Sequence, residues 1–252
     1  MVSLPDRLPR VDQTKADVTG GTPDFSDTWI VIPLYNESAV IWDVLHDVSH
    51  VFPHVVCVDD GSRDGSADIV AAAKVAHLVR HPVNLGQGAA IQTGVEYARG
   101  MPGARYFVTF DADGQHQVSD VIAMVERLRN EPLDVVLGTR FGGAEAVGMP
   151  WHKRLVLAFI VRLSARARRL GLSDAHNGLR AFDKVVADQL DLAVGGMGHA
   201  SEFVALIERQ GWRVDEQPVS ILYTDYSKAK GQSLLNGINI VVDNIAHGRS
   251  ER

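Results

Sequence analysis

The chain has 252 residues, 46% hydrophobic and 22% charged, with a formal net charge of -6. That is globular composition with enough length for one sizeable core, which excludes fibrous, collagenous and wholly disordered proteins. The acidic balance argues against a general nucleic-acid binder. The single cysteine, Cys57, sits inside the apolar run 55–58, so neither a disulfide framework nor a cysteine-based zinc site is available.

No uninterrupted apolar stretch approaches the ~20 residues that span a bilayer, and the first residues show no apolar core of the signal-peptide kind. The expectation is a cytoplasmic protein, soluble or at most peripheral on a membrane. Residues 1–27 are polar and aperiodic and read as a flexible lead-in. From Trp29 onward, apolar β-type runs alternate with helical patterns. The strands are expected at 29–33, 54–59, 77–81, 105–110 and 134–138, with helices over 38–52, after Asp64, and over 86–99 and 118–130. This alternation is the mark of βαβ units and a mostly parallel sheet, and the continuous apolar strands imply burial on both faces.

After a glycine-rich loop, FGGAEAVGMP, the pattern turns mixed. It comprises a basic helical segment (151–170), a loop at HNGLRAF, a helix over 200–210, the strand-like stretch WRVDEQPVSILY, and a C-terminal segment with helical apolar spacing (233–247). The segment 151–170 carries Lys153, Arg154, Arg162, Arg166, Arg168 and Arg169 with no acid. Interleaved with apolar residues, these suit an interfacial helix that attracts anionic headgroups, or equally a helix packed on the sheet with a solvated basic face.

Ligands of doubly wound sheets bind beyond the carboxyl ends of the strands. The residues there are polar: Tyr35, Asn36 and Glu37; Asp59 to Ser62; Asn84 to Gly88; Asp111 to Gln115; Thr139 and Arg140. Asp111, Asp113 and Gln115, spaced by two after a strand, offer hard oxygen donors suited to Mg2+ or Mn2+ completed by substrate phosphates; an Asx turn is the structural alternative. Asp59 and Asp60 are either a turn or readers of a base or ribose, and Tyr35 can stack on a base or fill the sheet edge. Asp64-Gly65-Ser66 reads as a helix cap. NLGQGAAI is neither a dinucleotide fingerprint, having Ile91 where the last glycine belongs, nor a Walker loop, lacking GK[ST].

Taken together and in order, IPLYNE, VDDGSRDGS, NLGQGAA, FDADGQH and LGTR resemble glycosyltransferase family 2 over roughly residues 28–225. Gln115, GTRF, HNGLRAF and the EQPV segment at Glu216 make the chain most similar to the polyprenyl-phosphate mannose/glucose synthase branch. The resemblance implies an α/β fold of the GT-A, Rossmann-like kind: a mostly parallel central sheet flanked by helices, with a C-terminal acceptor-side α+β portion. It implies residues 28–225 as the catalytic domain and 226–252 as a basic loop and amphipathic helix. It further implies an inverting transfer from a nucleotide sugar, GDP-mannose before UDP-glucose, with a divalent cation.

Carried over, Pro33, Tyr35, Glu37, Asp59 and Asp60 would hold the nucleoside, with Asn84, Gly88 and Ala112 lining the donor site. Asp111, Asp113 and Gln115 would hold metal and diphosphate, and Arg140 and Arg180 would face phosphates. Lys230, Gln232 and Ser233 would belong to a closing loop. A lipid-phosphate acceptor needs no base, whereas a hydroxyl acceptor would call on Glu202. His116 either contacts a substrate or faces solvent. Asn177 stands where the branch has a small hydroxyl residue, and the closing loop lacks the branch's arginine pattern, which leaves the acceptor open. Membrane contact is expected through 151–170 and 233–248, a homo-oligomer stays open, and a non-catalytic nucleotide-sugar-binding scaffold is the rival outside catalysis.

Overall fold

A computed structural model describes residues 23–140, 169–174, 177–193 and 198–222. Strands β1 (Thr28–Leu34), β2 (His54–Asp59), β3 (His77–Arg80), β4 (Tyr106–Thr109) and β5 (Val135–Thr139) fall where the apolar runs place them. Helices α1 (Ile41–Ser49), α2 (Ser66–Ala73), α3 (Gln87–Arg99) and α4 (Val118–Asn130) connect them. The second half adds β6 (Arg180–Asp183), α5 (Lys184–Gln189), α6 (His199–Gln210) and β7 (Val214–Pro218).

The sheet runs β3-β2-β1-β4-β6-β5-β7. Every pairing is parallel except those of β6, which lies antiparallel between β4 and β5. The expectation of a loop at HNGLRAF is therefore corrected: its second half is a strand. Its start, Arg180, is registered between Thr109 and Leu137, at the carboxyl edge where β4 and β5 end.

Alternation along the strands divides two cores. Trp29, Val31, Val56, Val58, Phe107 and Phe182 point toward α3, α5 and α6. Ile30, Ile32, Val55, Cys57, Val108 and Ala181 point toward α1, α2 and α4. Both faces of the central parallel strands β1 and β2 are covered, as buried parallel strands require, while the edge strands β3 and β7 stay partly exposed. Burial pushes the Cys57 thiol far up and leaves it an inert core residue. Phe25, inside the segment read as lead-in, is buried and packs on Phe52 with ring centroids 4.7 Å apart. Arg129 lies over its ring at 4.9 Å, so packing begins ahead of β1.

Candidate active site

The loops after β1 and β2 are built into each other. Backbone N–H groups of Asn36, Glu37 and Ser38 donate to Ser62 Oγ, Ser66 Oγ and Asp64 Oδ2, each at 2.9 Å, and Arg63 N donates to Asn36 Oδ1 at 2.9 Å. Asn36 takes a left-handed φ of 53°, which an asparagine tolerates. Burial opposes ionisation of Asp64, but hydrogen bonds from Ser66 and Ser38 prevail and hold its carboxyl down at about 2. Asp64 thus fastens the β1 loop as well as the start of α2. Its cap role is shared with that tie, and the N-cap position itself is Gly65.

Of the residues expected at the nucleoside, Tyr35 is exposed, Glu37 is buried, and Pro33 lies buried within β1. Asp59 is fully buried. Its Oδ1 accepts from Ser62 N at 3.1 Å, and Arg80 Nε stands 3.3 Å from Oδ2 as an ion pair without hydrogen-bond alignment. Asp60 serves the loop after β3: Oδ1 accepts from Leu85 N and Oδ2 from Gly86 N, both at 2.8 Å. His81 Nδ1 lies 2.8 Å from Oδ1, and its Nε2 reaches Thr93 Oγ1 on α3 at 3.0 Å. In that loop Asn84 is exposed, while Gly88 is buried in the first turn of α3.

The carboxylates after β4 have different surroundings. Gln87 Nε2 donates to Asp111 Oδ1 at 2.9 Å and His116 Nε2 to Oδ2 at 3.2 Å. Burial works against the Asp111 charge, yet the His116 hydrogen bond and the charges of His116, Arg180 and His199 hold its carboxyl below the usual range. Asp113 is pushed up to about 6, first by burial and then by the nearby carboxylates of Asp111 and Glu37. Ala112 between them is buried. Gln115 donates its backbone N–H to Asp113 Oδ1 at 3.1 Å and accepts from Leu222 N at 2.9 Å. The solvent-facing alternative for His116 is corrected: it is buried on Asp111, edge-on to Phe110, with Nδ1 unpartnered among the described residues.

Gly178 meets this carboxylate. A Cβ at that position would lie 2.1 Å from Asp111 Oδ2, so only glycine lets the strand entry close over it. Two residues on, Arg180 is fully buried, its guanidinium 4.9 Å from the centre of the Phe203 ring on α6. Nε donates to the Asn177 carbonyl at 3.2 Å, while Nη1, Nη2 and Asn177 Nδ2 have no hydrogen-bond partner among the described residues. Burial pulls its pKa down to about 10, with Asp111 acting in the opposite direction.

Arg140 is held differently. Its Nε and Nη2 both donate to Asp174 at 2.6 Å, and its backbone N to the same carboxylate at 3.0 Å. Asp174 is in turn fixed by Glu216, which accepts from Ser173 N and Asp174 N at 2.8 Å. Glu202, in the first turn of α6, accepts from Ala193 N at 3.0 Å. Arg169, from the basic segment, pairs with Glu208 at 2.9 Å. Lys230, Gln232 and Ser233, residues 151–168 of the basic segment and the segments 226–252 and 233–248 lie outside the described residues.

The roles of Gln87, His81, Asp174 and Gly178 escaped the sequence reading. Gln87 stood in a visible glycine-rich motif, but nothing there signals its partner; Asp174 lies 34 residues from Arg140.

The carboxyl edge of the sheet thus holds a carboxylate pair, the buried Arg180 and the half-buried Arg140. Residues 29–191 match the family model described as Glycosyl transferase family 2. The chain belongs to glycosyltransferase family 2. This glycosyltransferase is 30% identical to the polyprenol monophosphomannose synthase of Mycolicibacterium smegmatis over 226 residues, covering 84% of this chain and 82% of the relative. It is 29% identical over 238 residues to the UDP-N-acetylglucosamine–dolichyl-phosphate N-acetylglucosaminyltransferase of Methanococcus voltae, covering 84% and 92%. In fold it is similar to glucosyl-3-phosphoglycerate synthase from Mycobacterium tuberculosis, solved with Mn2+, uridine diphosphate and phosphoglyceric acid. The TM-score there is 0.63 at 19% identity, over 79% of this chain and 71% of that one. The GT-A fold expected from the sequence is the fold of the protein.

Proposed function

We propose that this glycosyltransferase moves one hexose, with inversion, from a nucleoside-diphosphate sugar to a polyprenyl phosphate at the cytosolic face of a membrane. GDP-mannose is the first candidate donor and UDP-glucose the next. The observation that carries the reading is the buried guanidinium of Arg180 beside Asp111, with both terminal nitrogens unpaired among the described residues. A buried cation with unmade hydrogen bonds is costly, and a phosphate is the ligand its fork fits. The names of the two relatives support the acceptor class.

The donor set fits a divalent cation. Burial first, and the neighbouring carboxylates after it, push Asp113 up to about 6, a penalty on its charge that Mg2+ or Mn2+ would relieve, and its oxygens suit a hard ion. Among the described residues no three His, Cys, Asp or Glu side chains converge, so phosphate and water oxygens would complete the shell. Asp113, with Asp111 and Gln115 near it, would hold the ion, which supplies neutralisation of the diphosphate charge.

The remaining chemistry falls to side chains of this protein. An acceptor-phosphate oxygen forms its bond to the anomeric carbon as the bond from that carbon to the diphosphate breaks, the electron pair leaving on the diphosphate. The acceptor is already anionic, its second pKa being about 6, so no side chain must take its proton. Arg180 keeps two buried nitrogens without partners among the described residues, and these would bond phosphate oxygens that enter the site. Arg140, aligned from behind by Asp174, is the second cation at this edge. The tie of Glu202 to Ala193 N gives that carboxylate a structural task and favours the base-free reading.

Among the described residues no helix is long and apolar enough to cross a membrane; peripheral contact through 151–170 is therefore part of the proposal. The test is calorimetric titration with GDP, UDP, GDP-mannose, UDP-glucose and UDP-N-acetylglucosamine, with and without Mn2+, followed by transfer to undecaprenyl phosphate in vesicles. Metal-dependent binding of one nucleotide with sugar transfer to the lipid is expected. Absence of binding by all of them refutes the donor site, and binding with transfer only to a hydroxyl acceptor refutes the lipid phosphate. Reversing the charges of Arg162, Arg166 and Arg169 should weaken binding to anionic vesicles, and unchanged binding removes the membrane role of that segment.

A further inference from the structure

We propose that Gln87 is a positioning residue that turns Asp111 toward the protein and leaves Asp113 as the carboxylate open to a cation. The proposal rests on the metal reading given above and adds what enforces it. Both oxygens of Asp111 have protein donors, Gln87 Nε2 at 2.9 Å and His116 Nε2 at 3.2 Å. Among the described residues the donor given to Asp113 is one backbone N–H, that of Gln115. An oxygen that already accepts a hydrogen bond has a lone pair engaged and a fixed direction, so the two carboxylates compete unequally for an ion.

Gln87 is itself held firmly enough to do this. It opens α3 directly after Gly86, whose φ of 95° makes the sharp entry that glycine permits. Asp60 clamps that entry through Leu85 N and Gly86 N, and His81 joins Asp60 to Thr93, two turns along the same helix. The first residue of α3 is thus pinned from both sides, and its amide is delivered to Asp111 from a rigid element. Asp60, expected to contact the nucleoside, has a second task here, because the loop it holds carries the residue that orients the metal-side carboxylate.

The experiment follows free Mn2+ by electron paramagnetic resonance in the wild type, Gln87→Leu, Asp113→Ala and the double variant, with turnover measured alongside. Wild type should take up Mn2+ and Asp113→Ala should not. Gln87→Leu releases Asp111 Oδ1, so Mn2+ should bind at least as tightly as in wild type while kcat falls by about 10–100-fold. The double variant should regain Mn2+ uptake that Asp113→Ala lacks, an outcome that a merely structural glutamine would not produce. A double variant as empty as Asp113→Ala, or Gln87→Leu within twofold of wild type in both readouts, overturns the proposal. Wild type without Mn2+ uptake overturns the metal reading itself, and this proposal with it. Should Gln87→Leu fail to fold, Gln87→Asn, polar but one methylene shorter, withdraws the donor and is read against the same outcomes.

Discussion

Replacing Gly178 with alanine tests the geometry of the site with one methyl group. Its Cβ would lie 2.1 Å from Asp111 Oδ2, 2.7 Å from Cγ and 2.8 Å from Oδ1, where ordinary contacts begin at 3.4 Å. The carboxylate must therefore retreat by more than about 1 Å. A retreat of that size breaks or stretches its hydrogen bonds from Gln87 and His116, each worth about 1.5–3 kcal/mol for a charged acceptor. Because Asp111 is partly exposed and water can replace some of what is lost, the expected loss of stability is about 2–4 kcal/mol, or a fall in Tm of roughly 5–15 °C. Misplacement by ~1 Å at a reacting centre costs about 100-fold in rate. Differential scanning calorimetry and transfer of radiolabelled sugar to the lipid phosphate measure the two effects. A Gly178→Ala protein with kcat/KM within threefold of wild type would show that Asp111 and the β6 entry do not form the contact on which this site is built.

Other perturbations separate function from fold. Arg180→Met removes a buried, partly unsatisfied charge, so Tm should hold or rise while turnover falls at least about 100-fold, and Arg180→Lys should recover only part because it lacks the planar fork. A marked loss of Tm in Arg180→Met would mean that the guanidinium is kept for the fold. For Asp113, the native pKa of about 6 stands above the ordinary 3.8. Its contribution to stability is therefore fully present below about pH 4 and lost as pH rises through 6. Mn2+ competes with that proton, so Mn2+ affinity should be level above pH 7 and fall about tenfold per unit below 6. A titration flat down to pH 5 would remove Asp113 as ligand. Glu202→Gln should leave the rate with a phosphate acceptor within about threefold, and a loss of orders of magnitude would support a hydroxyl acceptor with Glu202 as base.

Strands β1, β2, β4 and β5 were readable from their apolar runs and the short β3, HLVR, from its place in the alternation, and the helices between them because their buried positions recur with helical spacing, as Ile41, Val44, Leu45 and Val48 do in α1. Strand β6 was not. RAFD has four residues and starts with a charge, and what makes it a strand is pairing with Thr109 and Leu137, far away in sequence. The carboxylates at the sheet edge were visible by their spacing, but the groups that orient them were not. Gln87 is 24 residues from Asp111 and Leu85 is 25 from Asp60, and no local pattern announces such pairs. The same distance hid the engagement of Arg140 with Asp174, so its cationic character was legible and its anchor was not.

The place of β6 in the sheet also governs how the molecule is assembled. Strand β5 is made before β6 but cannot dock on β4 without it, since β6 lies between them. During synthesis the ordered half-sheet β3-β2-β1-β4 therefore presents β4 as an open edge until residues 140–179 have been completed and looped back. Closing a segment of that length costs about 3 kcal/mol in chain entropy before any pairing is gained. The joining of β6 is thus a late, long-range event, and the exposed β4 edge is the surface most open to wrong partners beforehand. Because the same event brings Arg180 to Asp111, a chain that has not finished folding lacks the arrangement proposed above to hold phosphate.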